Sequence, residues 1–263
     1  MFRRRCRPRV RLLGSTKAAK NDSNDALSTA IAGLRHCELR TVRVEDHTAV
    51  IRLLIDRYDA LVSLRTQATC RLHVVLRELV AGGAPRRLSA NRANKLLRTV
   101  HPTGAVAVER KRLAVDLLAD VRRLDQQLAA TRSRIAVAVE DSKTTLLELH
   151  GVGPIVAAYI LGHVANPARF ATPERFASYN GTAPIEASSG PRKRHRLNPR
   201  GNRKLNHAMH LVAVTQVRND TAGRVYFQRK IAEGKSKKEA LRALKRRISD
   251  AVWRQLQVDL KLR

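Results

Sequence analysis

The paired hydroxyls Ser188 and Ser189 are followed by Gly190 and then by Arg192, Lys193, Arg194, Arg196, Arg200, Arg203 and Lys204, with no acid among them. A serine can attack phosphorus if its proton is removed and cations neutralise the charge of the pentavalent transition state. Guanidinium groups suit that task because they meet phosphate oxygens bidentately. The same residues also fit a plain Ser-Gly turn leading into a phosphate-contacting loop. No histidine stands at a spacing that marks it as a base, and His195 is near in sequence only. Residue types alone favour the turn.

Three other groupings have chemical potential. "KNDSNDA" sets Asp22 and Asp25 three apart, which on a helix puts both carboxylates on one face. Such a pair can contribute oxygens to Mg²⁺, although it equally fits a helix start in which Asp22 or Asn24 caps and Asp25 favours the dipole; two carboxylates are not a cage, and the helix-start reading is preferred. "HGVGPIVAAYIL" has the form of a helix-hairpin-helix, where Gly151 and Gly153 permit a tight turn and the next helix offers free amides to a phosphate. An ordinary αα-turn is the alternative. His207 and His210 share a helix face without a third ligand, so they read as core or surface histidines. The run Lys235–Arg247, with seven basic residues and one acid, is either a solvated helix face or a further backbone contact.

Composition favours a polyanionic partner. Among 263 residues, 52 are Lys or Arg and 22 are Asp or Glu, a formal net charge of +30. Nucleic acid is the first candidate, and an aromatic content of 3% disfavours binding by base stacking. Cys6, Cys37 and Cys70 have no paired spacing, which suits neither a disulfide framework nor a zinc site and points to a reducing interior. No run of apolar residues is long enough to span a membrane. The opening "MFRRRCRPRVRLLG" lacks the apolar centre of a secretory signal, though its composition resembles that of a transit peptide.

The elements that must position these residues are mostly helical. Residues 1–20 carry eight Lys/Arg and no acid and read as extended. From Asp46 to Val80 the positions Leu54, Tyr58, Leu61, Ala68, Leu72, Val75 and Leu79 follow heptad steps, with Arg65 in one slot. A second seam runs through Leu117, Val121, Leu124, Leu128, Ile135 and Ala138, with Thr131 between. Two narrow seams want each other or a partner chain, which predicts a helical hairpin arm that also associates between copies. "AGGAP" and "HPTGA" bracket a short helix that Ser89 can cap. Beyond Ser142, "LLELHGVGPIVAAYILGHV" reads as two short apolar helices hinged at Gly151-Val152-Gly153-Pro154. Helices then follow over Leu205–Val217, up to Gly234, and from Ser236, where Glu239 completes a capping box.

Taken in this order, the segments resemble the insertion-sequence 110 family of transposases, related to the Piv-type DNA invertases. "KNDSNDA" resembles the family's Lys-x-Asp-x-x-Asp-Ala element, "LHGVGPIVAAYIL" the opening of its C-terminal domain, and "ERFASYNGTAPIEASSGPRKRHRLNPRGNRKLNHAM" its aromatic–x–Gly–x–x–Pro, Ser-Gly and Arg-Gly-Asn-Arg elements. The resemblance implies Ser189 as nucleophile, with Ser188 one residue away as the alternative, and makes Asp22 and Asp25 ligands of Mg²⁺. It implies nucleic-acid contacts from Gly151, Gly153 and the basic residues of 192–204. It further implies a remnant of an α/β RuvC-like domain over 1–45, a coiled-coil arm over 46–140 and a helical serine transposase domain over 141–263. Implied partners are DNA, a structured guide RNA and further copies of the chain through the arm, in the cytoplasm of a bacterium and associated with its nucleoid. Only about 20 Arg-rich, acid-free residues precede the aspartate element. The chain is therefore expected to be N-terminally truncated, to lack two of the family's four acidic residues and to hold an incomplete metal site. The expected activity is strand cutting and rejoining by serine attack; the alternative is an inactive remnant that only binds DNA or RNA.

Overall fold

The computed structural model describes residues 22–35, 45–186, 195–196, 198 and 201–262. The chain divides into two compact units, Met1–Glu45 and Asp46–Arg263. In the first, α1 (Asp22–Arg35) begins at the aspartate element and carries Asp22 and Asp25 in its opening turn. Negative charge there complements the positive end of the helix dipole.

In the second unit, Asp46 caps α2 (His47–Leu79) by accepting the Thr48 amide at 2.8 Å. The helix ends at Val80, before the glycine pair Gly82-Gly83, both at positive φ. Ser89 accepts the Arg92 amide and starts α3 (Ala90–Thr99), and α4 (Ala105–Asp141) returns. The cross-links Tyr58 to Arg132, Arg65 to Asp125 and Glu78 to Arg110 show that α2 and α4 run antiparallel. The expected seams face each other. Leu54, Leu61, Leu72, Val121, Leu124, Leu128, Thr131 and Ile135 are buried, and the misfit slot at Arg65 is met by the Asp125 carboxylate. Each fully buried aliphatic side chain contributes about 1.5–3 kcal/mol. Because the seams close on each other within one chain, association between copies would have to use another surface.

At its root the hairpin joins the main core. Ile51, Leu54, Ile55, Ile135 and Val139 belong to the same cluster as Leu146 and the C-terminal helices. The first of the two short apolar helices expected after Ser142 is instead one 3₁₀ turn, Thr145–Glu148. The chain bends sharply at Lys143 (φ +51), and the buried carboxylate of Asp259 then accepts from Thr144 Oγ1 (2.6 Å) and the Thr145 amide (2.9 Å). Those bonds tie this turn to the last helix. Pro154 opens α5 (Pro154–Val164), buried at every position from Val156 onward, and Thr172 caps α6 (Pro173–Asn180). Two strands follow, β1 (Ile185–Glu186) and β2 (His195–Arg196), paired antiparallel. The chain then forms α7 (Arg203–Arg218), α8 (Ala222–Ala232) and α9 (Lys237–Lys261), the last with the expected Ser236–Glu239 capping box. The architecture is mostly α, and no helix among the described residues is long and apolar enough to cross a membrane.

Candidate functional site

Ser188 and Ser189 fall in the connection between β1 and β2, outside the described residues, as do Arg192, Lys193 and Arg194; Arg200, which follows β2, also lies outside them. For Arg196 only the β2 backbone is described, opposite Ile185. Both ends of the connection are fixed. On the entering side, Gly181 closes α6 in a left-handed conformation (φ +75), and the Thr182 and Ala183 amides both return to the Ala177 carbonyl. The wholly buried Asn180 accepts the Thr182 amide (3.0 Å) and hydroxyl (2.7 Å) and donates to Ser249 Oγ (2.8 Å). On the returning side, the Asn202 amide donates to the Tyr179 carbonyl at 2.7 Å, and Asn206 Nδ2 to the Asn180 carbonyl at 3.1 Å. Gly201 lies so near Gly181 that a Cβ on it would come within 2.4 Å of the Gly181 Cα. The Tyr-x-Gly-x-x-Pro and Arg-Gly-Asn-Arg elements are thus fastened to each other at the base of the serine-bearing connection.

Beneath this base lies a polar network that joins the arm to α5 and α7. Asn202 Oδ1 accepts the Lys204 and Leu205 amides, so its Nδ2 is the donor that reaches His163 Nδ1 at 3.2 Å. Arg52 directs a guanidinium N–H at the same nitrogen at 2.7 Å. Arginine only donates, so Nδ1 accepts and His163 is the neutral tautomer with its proton on Nε2. That Nε2 is buried and has no partner among the described residues. Burial first, and then the Arg52 charge, push the His163 pKa down to about 4, against opposing pulls from Asp56 and Asp59. Arg52 also pairs with Asp56 at 2.8 Å. The Tyr159 hydroxyl and the Lys204 ammonium both bond the Asp59 carboxylate. Burial and Asp59 together raise the Tyr159 pKa well above its ordinary value. The helices cross closely because Gly162 has no side chain: a Cβ there would stand 3.1 Å from the Arg52 Cα.

The structure sorts the remaining expected contacts. Arg203 is exposed, whereas Lys204, although half-exposed, is engaged by Asp59. Gly153 is exposed at the N-terminus of α5, with open space where a Cβ would be. Gly151 needs to be glycine for other reasons: it holds φ +91, and a Cβ would press on Thr215 and the Val212 carbonyl of α7. Asp22 and Asp25 are both exposed on α1. His207 is exposed and His210 half-buried; burial, Lys245 and His207 lower the His210 pKa. The basic run of α9 divides. Lys245 is buried, with its pKa pushed down to about 8 by burial, and donates to Asn206 Oδ1 at 2.5 Å. Arg246 pairs with Asp250 and with Glu174. Lys235, Lys237, Lys238 and Arg247 remain exposed. Arg52, Asp59, Tyr159 and His163 were not singled out from the sequence. The available signal was two ring side chains with polar groups, one helical turn apart, inside the otherwise apolar "PIVAAYILGHV".

Residues 143–228, which span this hairpin base and most of the network, match the transposase family described as Transposase IS116/IS110/IS902. The chain therefore carries a domain of that family, the one its motifs resemble. Over 214 residues it is 34% identical to the insertion element IS110 uncharacterized 43.6 kDa protein of Streptomyces coelicolor, a match covering 78% of this chain and 51% of that protein. It is 28% identical over 209 residues to the insertion element IS900 uncharacterized 42 kDa protein of Mycobacterium paratuberculosis, covering 78% and 52%. The chain spans about half the length of these relatives.

Proposed function

We propose that the chain serves insertion-sequence transposition by holding DNA and cutting and rejoining its strands through serine attack on a phosphodiester. The supporting observation is the fastening of Gly181 to Gly201 and of Tyr179 to Asn202, which anchors both ends of the connection carrying the serines. In the proposed step, Ser189 Oγ, or Ser188 one residue away, loses its proton to water and bonds to phosphorus. The bridging P–O bond to the neighbouring nucleotide breaks, and its oxygen takes up a proton. Attack by a hydroxyl of the other strand on the phosphoserine reverses the exchange and releases the serine. Arg192, Lys193, Arg194, Arg196, Arg200 and Arg203 would bind the phosphates and neutralise the transition state. Lys204 would join them on leaving Asp59. The first amides of α5 beside Gly153, in a helix-hairpin-helix-like turn, would add a phosphate contact.

Asp22 and Asp25 are exposed hard-oxygen donors on one helix face, a partial ligand set that fits Mg²⁺, which completes its shell with waters and phosphate oxygens. No group of three or more metal-ligating side chains occurs among the described residues. When bound, Mg²⁺ would supply positive charge to a phosphate oxygen. We read 1–45 as the RuvC-like remnant, 46–140 as a coiled-coil arm and 141–263 as the serine domain, with a structured RNA as a second nucleic-acid ligand.

The test is to trap a covalent protein–DNA adduct and map it by mass spectrometry. An adduct on Ser189 is expected, lost in Ser189→Ala while DNA binding persists, because the hydroxyl is removed but none of the surrounding charge is. An adduct on Ser188 moves the nucleophile by one residue. Binding without any adduct in this chain favours the remnant that only binds nucleic acid, and binding without any adduct in an N-terminally restored protein supplied with Mg²⁺ overturns the serine mechanism.

A further inference from the structure

Charge along the arm is unevenly distributed. Helix α2 carries five basic and three acidic residues, and α4 carries seven and six, so both shafts are close to neutral. The tip between them, residues 80–104, holds Arg86, Arg87, Arg92, Lys95 and Arg98 and no acid at all. All five are exposed, and none forms an ion pair among the described residues. By contrast, Arg65, Arg110, Arg112 and Arg123 on the shafts are all paired with carboxylates.

The basic groups sit on a rigid mount. At 3.6 residues per turn, Asn91, Arg92, Lys95, Arg98 and Thr99 share a face of α3 about 120° wide, and every one of them is exposed. The opposite face buries Ala93 and Leu97, which with Leu88 pack against Leu72 and Leu76 of α2 and Ala114, Leu118 and Val121 of α4. Ser89 caps the helix, and Arg92 is steadied by donating to the Arg87 carbonyl at 3.3 Å. From Arg92 to Arg98 the axial rise is about 9 Å, the span of about three phosphates of one strand at roughly 3.4 Å each. A merely solvated helix face would carry intermixed charge of both signs, as the shafts do.

We propose that the tip of the arm is a separate binding surface for the phosphodiester backbone of a duplex nucleic acid, gripped by Arg92, Lys95 and Arg98 with Arg86 and Arg87 alongside. It is distant in sequence from the serine-bearing segment and shares no residue with it. The proposal rests on the reading that the chain acts on nucleic acid, but it locates a contact that the chemistry at the serine does not require.

The test compares the full chain with the triple variant Arg92→Ala/Lys95→Ala/Arg98→Ala and with a shaft control, Arg122→Ala/Arg123→Ala/Arg134→Ala, which also removes three exposed basic groups. Binding to a duplex DNA and to an RNA hairpin is measured across salt concentrations. Unchanged thermal unfolding midpoints certify that all three proteins are folded. For the tip variant, affinity falls at least about tenfold near 0.1 M salt and the slope of log K against log salt becomes shallower by about 2 to 3, since each lost phosphate contact removes about 0.9 on DNA. Loss on DNA alone or on RNA alone identifies which duplex occupies the tip. Equal losses in tip and shaft variants, or no loss in the tip variant while the parent chain binds, overturn the proposal and leave the transposition reading intact. A parent chain that binds neither nucleic acid overturns both.

Discussion

His163 provides the sharpest link between geometry and a measurable number. It is 8% exposed, and its Nδ1 receives two donors, from Arg52 at 2.7 Å and Asn202 at 3.2 Å. Protonating Nδ1 would turn the shared acceptor into a third donor in a site that already holds a guanidinium and, through Lys204, an ammonium. The folded pKa is therefore about 4, below the ordinary 6.5. The depressed value means that the unfolded chain takes up the proton first. The stabilisation is complete above pH 6.5 and is lost as pH falls towards 4, with a ceiling of about 3 kcal/mol and roughly 2 kcal/mol gone by pH 5. Asp56 and Asp59 on α2 oppose the shift without overcoming it. Denaturant unfolding followed by the single tryptophan, Trp253, at pH 7 and pH 5 measures the loss. His163→Gln retains an acceptor for Arg52 but does not titrate in this range, so it should lose roughly 2 kcal/mol less than the parent chain between the two pH values. Subtracting the variant also removes the contribution of His210, whose pKa is lowered as well. Identical losses in parent and variant would refute the tautomer assignment and the network built on it.

Gly201→Ala should destabilise the C-terminal helices by about 3 kcal/mol, seen as a lower thermal midpoint, because the new Cβ would lie 2.4 Å from backbone that cannot swing away. In the arm, Leu61→Ala should cost about 2–4 kcal/mol, since this side chain is fully buried against Leu124 and Leu128. Arg65→Ala in the same seam should cost under about 1 kcal/mol, because its pair with Asp125 is one-third exposed or more on both sides. Chemical denaturation of the two variants separates these outcomes.

Much of the helical framework was legible in the sequence because its signals are local. The heptad stretch from Asp46 to Val80 became a helix whose caps are those two residues, and Ser89 and Ser236 begin helices as their spacing indicates. A cap or a turn engages neighbours within about four residues, so the types present in a short window decide it. That each seam must be covered was also readable, since a narrow apolar stripe cannot stay exposed, but whether the other seam or a second chain covers it was decided only by the packing of α2 on α4. The seven cations around the serine pair, and the motifs that place the chain in its family, are likewise properties of the one-dimensional order. Tertiary structure decided which side chains take up which partners. Nothing near Lys245 in the chain distinguishes it from Lys238, yet one is buried against Asn206 and the other faces solvent. The glycine at 151 is required by Thr215, and the glycine at 201 by Gly181. His163 meets Arg52 across 111 residues and Asn202 across 39. Such partners are chosen by how whole helices cross, and a contact that exists only after α2, α5 and α7 have packed leaves no periodic trace in any one of them.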